Sequence, residues 1–298
     1  MFKKLALSFA AFTMAASAQA QSIPEGFYLR GNVQAEYLSD GSTDLAAGAV
    51  DFVLGYKASG ISSLPVGVEI GVYKFSSDGV SFDAAITPVV FFDSQIGRFS
   101  AGVPRPALDD YIMQPLYANS VYWDLVFANV ASSSYASFAQ KALSANSSGV
   151  RFDGAHGALR YGISAHRIGG LDWVTAAANY TVGQFVVAGG IEMADTASST
   201  GYYGSVQADF GQFTGSVSVV SPLITTAYVT QITGTYSPMA NLTLEASHMM
   251  SSTGSSFTNG SVKYDLQSGT YVGANVVSGI GSSPVYGVFG GWDFNYGG

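Results

Sequence analysis

The chain has 298 residues, of which 48% are hydrophobic and 11% are charged, and its net charge is −8. Its mean hydropathy of +0.25 is high, and its charged fraction is well below the average of about 25% for soluble domains. The acidic balance without a basic cluster argues against nucleic acid as a partner, and the lack of cysteine excludes disulfides, thiol catalysis and zinc–thiolate sites.

The first twenty residues have the pattern of a secretory signal. Lys3 and Lys4 precede an apolar stretch at 5–17, and small residues follow at 18–20. The apolar stretch is shorter than the roughly 20 residues that a membrane anchor requires. We therefore predict cleavage after Ala20, which leaves a mature chain of residues 21–298. Loss of the two lysines changes the net charge from −8 to −10.

Short turn signals recur along the mature chain, and from the middle onward their spacing is about 28 residues. A repeat of this length accommodates two strands of about ten residues, one tight turn and one longer loop. Several turns place glycine where a two-residue II′ turn requires a positive φ. Seven turns and two chain ends bracket eight hairpins, so sixteen strands are predicted. The predicted turns lie at 62–65, 94–98, 154–157, 182–184, 210–212, 237–240 and 267–269.

The predicted strands alternate apolar and polar residues. The first of them places Phe27, Val33 and Tyr37 on one face, and Arg30 and Gln34 on the other. A soluble β-sandwich also alternates, but its outer face is usually rich in Lys and Glu, whereas here the polar face is mostly Ser, Thr, Gly, Gln and Asn. That face suits an enclosed polar lumen, and no later apolar stretch is long enough for a membrane helix. The sequence therefore predicts an all-β fold, a 16-stranded antiparallel transmembrane β-barrel.

One connection is some thirty residues longer than the others. The tight turns fall on the same side as both chain ends, which is the periplasmic side of outer-membrane barrels, so this connection is an outer loop. It follows the fifth strand at 104–148 and contains the pair Asp109-Asp110 and a stretch rich in aromatic residues. Loops of this size in compact folds are usually functional, and aromatic side chains need a surface to pack against. We predict that it folds into the lumen.

With these features the chain resembles the general porins of Gram-negative outer membranes, most of all the sixteen-stranded porins of alphaproteobacteria. The resemblance rests on the Gly-x-Phe turns, on segment 97–102 before the long loop, and on the aromatic alternation of the last strand. It implies a homotrimer of water-filled channels that pass ions and small hydrophilic solutes across the lipid of the cell outer membrane, inserted there by the barrel-assembly machinery. The assembly signal would comprise Trp292, Phe294 and Tyr296, although such porins end on an aromatic residue and this chain continues with two glycines.

The same resemblance implies a constriction with acids on the loop and bases on the facing wall, because charged side chains that line a wide pore select ions. The loop acids would be Asp109, Asp110 and Asp124. The bases that strand parity directs into the lumen are Arg30, Arg98, Arg151, Arg160 and Lys263. Each of these bases could instead be a solvated charge at the periplasmic rim.

Two other functions remain open at this point, an outer-membrane barrel hydrolase and a secreted or surface adhesin. His156, His166 and His248 lie far apart without ligand spacing, so the sequence predicts neither a metal site nor a catalytic centre. We expect no enzyme activity and no cofactor. The sequence leaves open whether a divalent cation binds near the loop, which solutes pass, and whether anions or cations are preferred.

Overall fold

A computed structural model of the chain describes residues 25–58, 65–78, 80–81, 83–112, 119–122, 134–142, 146–195, 200–221, 223, 227–279 and 283–297. The predicted signal at 1–20 and the loop acid Asp124 lie outside these residues. In the described part of the chain, no helix is long and apolar enough to cross a membrane.

Sixteen antiparallel strands form one closed sheet, as predicted. Each strand pairs with its neighbours in sequence, and the last pairs with the first, for example Val33 with Trp292. A two-residue piece, Val80–Ser81, pairs with the same edge of the third strand as the fourth strand does. The strands are β1 (Gly26–Ser39), β2 (Asp44–Ala58), β3 (Val66–Ser77), β4 (Ala85–Ser94), β5 (Gly97–Gly102), β6 (Ser147–His156), β7 (Leu159–Ile168), β8 (Leu171–Val182), β9 (Phe185–Ala194), β10 (Gly201–Asp209), β11 (Phe213–Ser221), β12 (Val229–Met239), β13 (Leu242–Ser251), β14 (Ser256–Gln267), β15 (Thr270–Ser278) and β16 (Val285–Tyr296).

The two faces of the sheet differ as the alternation predicts. Outward side chains are apolar and exposed, as at Val33 and Val288, the latter with 58% of its surface accessible. Inward side chains in β1, such as Asn32 and Gln34, are polar and buried within the barrel. Closure gives every strand a partner strand on both sides, which is the condition for a sheet to lie in lipid.

At the end that carries Gly26 and Tyr296, the strand connections that the structure describes are tight turns. Gly183 and Gly211 occupy the first central position of two-residue turns, with φ of +58° and +82°, as a II′ turn requires. Gly97 does not, because it pairs with Ser94 and the central residues are 95 and 96.

The turn predicted at 154–157 lies two residues further along, at 156–159. β6 continues through Gly154 to His156, which pairs with Leu159, and Gly157 takes the positive φ of +60° that the turn needs. Gly154 stays in the strand because the ring of Tyr161, its cross-strand partner, lies over it where a Cβ would otherwise be. A glycine in a strand can thus provide space for an aromatic ring rather than begin a turn.

The long connection between β5 and β6 carries two described helices, α1 (Leu108–Tyr111) and α2 (Tyr135–Ala142), and both pack inside the barrel. Leu108 lies against β8 to β11, and Ala139 against β7 and β8. Val121 and Tyr122 pack against inward side chains of β1 to β4 and of β12, β13, β15 and β16. The described parts of the connection therefore occupy the lumen, mainly in the half away from the tight turns.

Candidate functional site

The loop is fixed to the wall as soon as it leaves β5. The backbone N–H of Ala107 donates to the hydroxyls of Ser164 on β7 and Thr175 on β8, both at 3.0 Å. The guanidinium of Arg105 pairs with the buried carboxylate of Asp51 on β2. Two hydroxyls and one ion pair thus set the direction in which the chain enters the lumen.

Arg151 on β6 binds the loop directly. Its Nη2 lies 2.5 Å from Oδ2 of Asp110 and 2.6 Å from Oδ1 of Asp153, and its Nη1 donates to the carbonyl of Arg105 at 3.0 Å. The hydroxyl of Tyr111 donates to the same Asp153 at 2.7 Å. Arg151 was predicted to face the loop acids across the pore, and the structure instead places it in contact with one of them.

The two adjacent loop carboxylates have opposite environments. Burial, helped by the neighbouring charge of Asp110, raises the pKa of Asp109 above its usual range, although Lys141 and Ser137 oppose this. Burial alone would also raise the pKa of Asp110, but the guanidinium groups of Arg151 and Arg105 outweigh it and lower the pKa. The side chain of Asp110 is 40% exposed, so its carboxylate is accessible from the lumen.

A first carboxylate on the wall binds the middle of the loop. Oε1 of Glu36 on β1 accepts hydrogen bonds from the Ser120 hydroxyl at 2.9 Å and from the Tyr122 N–H at 2.6 Å, and Oε2 accepts one from the Val121 N–H at 3.0 Å. The preceding Asn119 adopts φ of +53° and donates through its amide to Ser261 on β14. This part of the loop is therefore attached to two neighbouring regions of one wall.

A second carboxylate binds the start of α2. Glu192 on β9 accepts hydrogen bonds from the Ser134 hydroxyl at 2.6 Å and from the N–H groups of Tyr135 and Ala136 at 2.8 and 3.0 Å. These N–H groups have no partner within the helix, so an anion at this position satisfies them. The hydroxyl of Tyr203 donates to the same carboxylate at 3.3 Å.

These two attachments lie on opposite sides of the barrel, because seven strands lie between β1 and β9 in either direction of the closed sheet. From Glu192, α2 extends toward another part of the wall, where the ammonium of Lys141 lies 5.2 Å from the ring centre of Tyr73 on β3. The described loop segments therefore span the lumen instead of following one wall.

The remaining predicted wall bases lie nearer the tight turns, and three of them pair with wall acids. Arg98 contacts Asp93 at 2.7 Å and Glu69 at 3.7 Å, and Arg30 lies 3.8 Å from Glu69. Lys263 lies within 3.5 Å of two aspartates on β14 and β16, and parity places Arg160 on the lumen face near the β6–β7 turn. The charge of Arg30 also contributes to lowering the pKa of Asp110.

Charged and uncharged polar residues are unevenly distributed around the lumen. The arc from β1 to β6 carries most of the ion pairs, whereas the described inward positions of β10 to β15 are mainly hydroxyls and amides. Within that second arc Gln231 donates to Ser247, which donates to Asn259. Groups of three or more potential metal ligands do not occur among the residues described.

The aromatic side chains near the end of the last strand, Trp292, Phe294 and Tyr296, point away from the lumen. The rings of Trp292 and Phe294 are 4.8 Å apart, and those of Phe294 and Tyr296 are 6.4 Å apart. The indole N–H of Trp292 donates to the carbonyl of Ser268 in the adjacent turn at 2.9 Å. The three rings form an aromatic band on the outer surface near the chain end.

Comparison with solved structures identifies the architecture. Neither a family model nor a curated protein matches the chain. A variant of Rh. blastica porin aligns with a TM-score of 0.72 at 16% identity, over 90% of this chain and 100% of the other. The chain has a porin fold. A structure described as "Asymmetric conductivity of engineered proteins" aligns with a TM-score of 0.73, and a triple mutant of Rhodopseudomonas blastica porin with 0.71, both at 16% identity and the same coverage.

The porin fold confirms the predicted sixteen strands and the position of the long loop after the fifth strand. Prediction from sequence missed the wall acids Glu36, Asp51 and Glu192, which bind the loop. Strand parity, the signal used to select the bases, also directs these three acids inward. Strand parity does not give the position of the loop, and that position decides which inward residues the loop contacts.

Proposed function

We propose that this protein is a porin of the Gram-negative outer membrane, whose barrel forms a water-filled channel for passive diffusion of ions and small hydrophilic solutes. The observation that carries the proposal is the closed barrel with an apolar outer face, a polar inner face and a loop attached to opposite walls of the lumen. A barrel of sixteen strands encloses an aqueous channel unless something fills it, and the loop fills part of it.

Within this proposal the loop sets the size of the channel, and charges beside it act on passing ions. Asp110, Arg151 and Arg105 lie together where the loop meets the wall, and the charge of Arg30 on β1 also acts on Asp110. Asp109, which is bonded to Ser137 of α2, contributes mainly to the shape of the loop. Arg98, Arg160 and Lys263 would act on ions nearer the periplasmic mouth.

The proposal extends to assembly and location. Residues 1–20 would direct export, the barrel-assembly machinery would recognise the outward band of Trp292, Phe294 and Tyr296, and three copies would associate in the membrane. Gel filtration with light scattering of the detergent-solubilised protein tests the last point. Three chains per particle are expected, each lighter than the 31.0 kDa of the full-length chain once residues 1–20 are removed, and a particle with a single chain would contradict the trimer.

Planar-bilayer recording tests the channel itself. Folded protein should add stepwise conductance increments that scale with the conductivity of the electrolyte, as an aqueous pore requires, while the same preparation unfolded by heat should add none. Folded protein that inserts into the bilayer without conducting would contradict the proposal. Ester and peptide hydrolysis assays on the same preparation should give only background rates, since a passive channel is proposed rather than a barrel hydrolase.

A further inference from the structure

Glu36 and Glu192 share an environment that distinguishes them from the other acids described in the lumen. Each is buried, at 4% and 0% exposure, and each accepts three hydrogen bonds from loop residues. Neither forms an ion pair with any lysine or arginine in the described residues. By contrast, Asp51, Glu69 and Asp93 are paired with basic side chains.

The groups that face each carboxylate are few. Around Glu36 they are the Ser120 hydroxyl, two loop N–H groups and the phenol of Tyr122, with Ala47 and Phe289 opposite on the adjoining strands.

Around Glu192 they are Ser134, the phenols of Tyr135 and Tyr203, and the carboxylate of Asp109, with Thr175 opposite on β8. At both sites the hydrogen bonds from the loop are thus the chief stabilising contacts of a buried anion.

We propose that Glu36 and Glu192 are positioning residues that hold the loop across the channel from opposite walls, each fixing its own segment independently of the other. This inference rests on the proposed channel function for its effect on conductance, but the attachment itself is testable without it. Removing the anionic acceptor at one end should release that end of the loop and widen the channel.

The chemistry of the contacts indicates which substitutions are informative. Each site presents three donors to two carboxylate oxygens, an arrangement that suits an acceptor-only group. In Glu192→Gln one oxygen is replaced by an amide NH₂, a donor that faces the donors of α2. Glu192→Asp keeps the negative charge but shortens the side chain by one methylene, which moves the carboxylate away from the loop. We therefore expect the loop to be attached most strongly by Glu, less strongly by Asp and least strongly by Gln.

Because the chain has no native cysteine, a single introduced cysteine can report on how firmly one end of the loop is attached. Ala139→Cys reports on α2, where Ala139 packs against Ile168 and Trp173, and Val121→Cys reports on the segment held by Glu36. Both side chains are buried, so in the otherwise unchanged barrel each thiol should react slowly with a charged methanethiosulfonate reagent.

Glu192→Gln should raise the rate at which the thiol of Ala139→Cys reacts with the reagent by at least about tenfold, and should leave the thiol of Val121→Cys protected. Glu36→Gln should expose the thiol of Val121→Cys and leave that of Ala139→Cys protected. Glu192→Asp should give an intermediate rate at Ala139→Cys, and it replaces the Gln variant if that variant does not fold. The matched control is Glu69→Gln, which removes a lumen carboxylate bonded to Tyr28, Arg30 and Arg98 rather than to the loop. It should leave both reporters protected.

Unchanged reporter rates in folded Glu36→Gln and Glu192→Gln barrels would overturn the proposal. Equal exposure of both reporters by either substitution would also overturn it, because general loosening of the loop would then explain the result. In bilayers both Gln variants should conduct more than the wild type, and Glu69→Gln should not. End-specific thiol exposure in the Gln variants, together with a wild-type barrel that does not conduct, would refute the channel while leaving the two attachments established.

Discussion

Arginine substitutions at neighbouring positions of β10 test which face of the sheet meets lipid. Val206 points outward with 45% of its surface exposed, near the middle of the strand, and Gln207 points into the lumen. Arginine near the bilayer midplane on the lipid face of a barrel costs about 2 to 4 kcal/mol, while substitutions facing the lumen are tolerated. Val206→Arg should therefore lower the folding equilibrium constant by roughly 30- to 700-fold, because each 1.4 kcal/mol is a factor of ten.

The assay is guanidinium unfolding of the barrel in phospholipid vesicles, followed by tryptophan fluorescence and by the heat-dependent shift of the folded band on gels. Gln207→Arg controls for adding an arginine to the same strand, and Val206→Ala controls for loss of the valine side chain. Both controls should remain within about 1 kcal/mol of the wild type. Equal free energies of unfolding for the two arginine variants would show that the assignment of inner and outer faces is wrong.

Three further predictions concern the loop acids and one turn. Asp110→Asn with Asp109→Asn should shift the reversal potential in a salt gradient toward anions, because the loop then loses the exposed carboxylate of Asp110 while Arg151 keeps Asp153 as an acidic partner; an unchanged potential would mean that these acids lie away from the ion path. Since the pKa of Asp110 is lowered in the folded protein, its contact with Arg151 stabilises the fold above the unfolded pKa of about 4 and this contribution is lost as the pH falls through the folded value. Unfolding titrations against pH should show Asp110→Asn destabilising at pH 7 but not at low pH, and Asp109→Asn, whose carboxyl has a raised pKa, should not destabilise at pH 7. Gly183→Ala, at φ +58°, should destabilise by about 1 kcal/mol or more, whereas Gly204→Ala, at which a Cβ meets only open space outside the barrel, should be near neutral in the same titrations.

The strands were predictable because each depends on a local signal. The alternation of apolar and polar residues along β1 and β16 can be seen in consecutive residues of the sequence, and it identifies both the outward Val288 and the inward Gln34. The long connection after β5 was predictable from its length alone. Turn positions were less secure, because Gly154 and Gly157 look alike in sequence and only their neighbours decide which one begins the turn.

The contacts of the site were only partly predictable because they join residues far apart in the chain. Strand parity identified Arg151 as inward, but not that Asp110 would reach it. Glu36 and Glu192 become attachment points only because segments 120–122 and 134–136 lie beside them, and no periodicity encodes that position. Sequence patterns therefore indicate which side chains enter the lumen, and the path of the loop decides what they bind.

The central proposal, a channel narrowed by its own loop, is tested most directly by removing that loop. Replacing residues 110–145 with a short Gly-rich linker removes most of the described loop contacts and leaves all sixteen strands. Single-channel conductance of this variant and of the wild type should be compared in the same bilayer and electrolyte. We predict a folded barrel with clearly higher conductance; a folded variant with unchanged conductance would place the loop outside the ion path and contradict the proposed constriction.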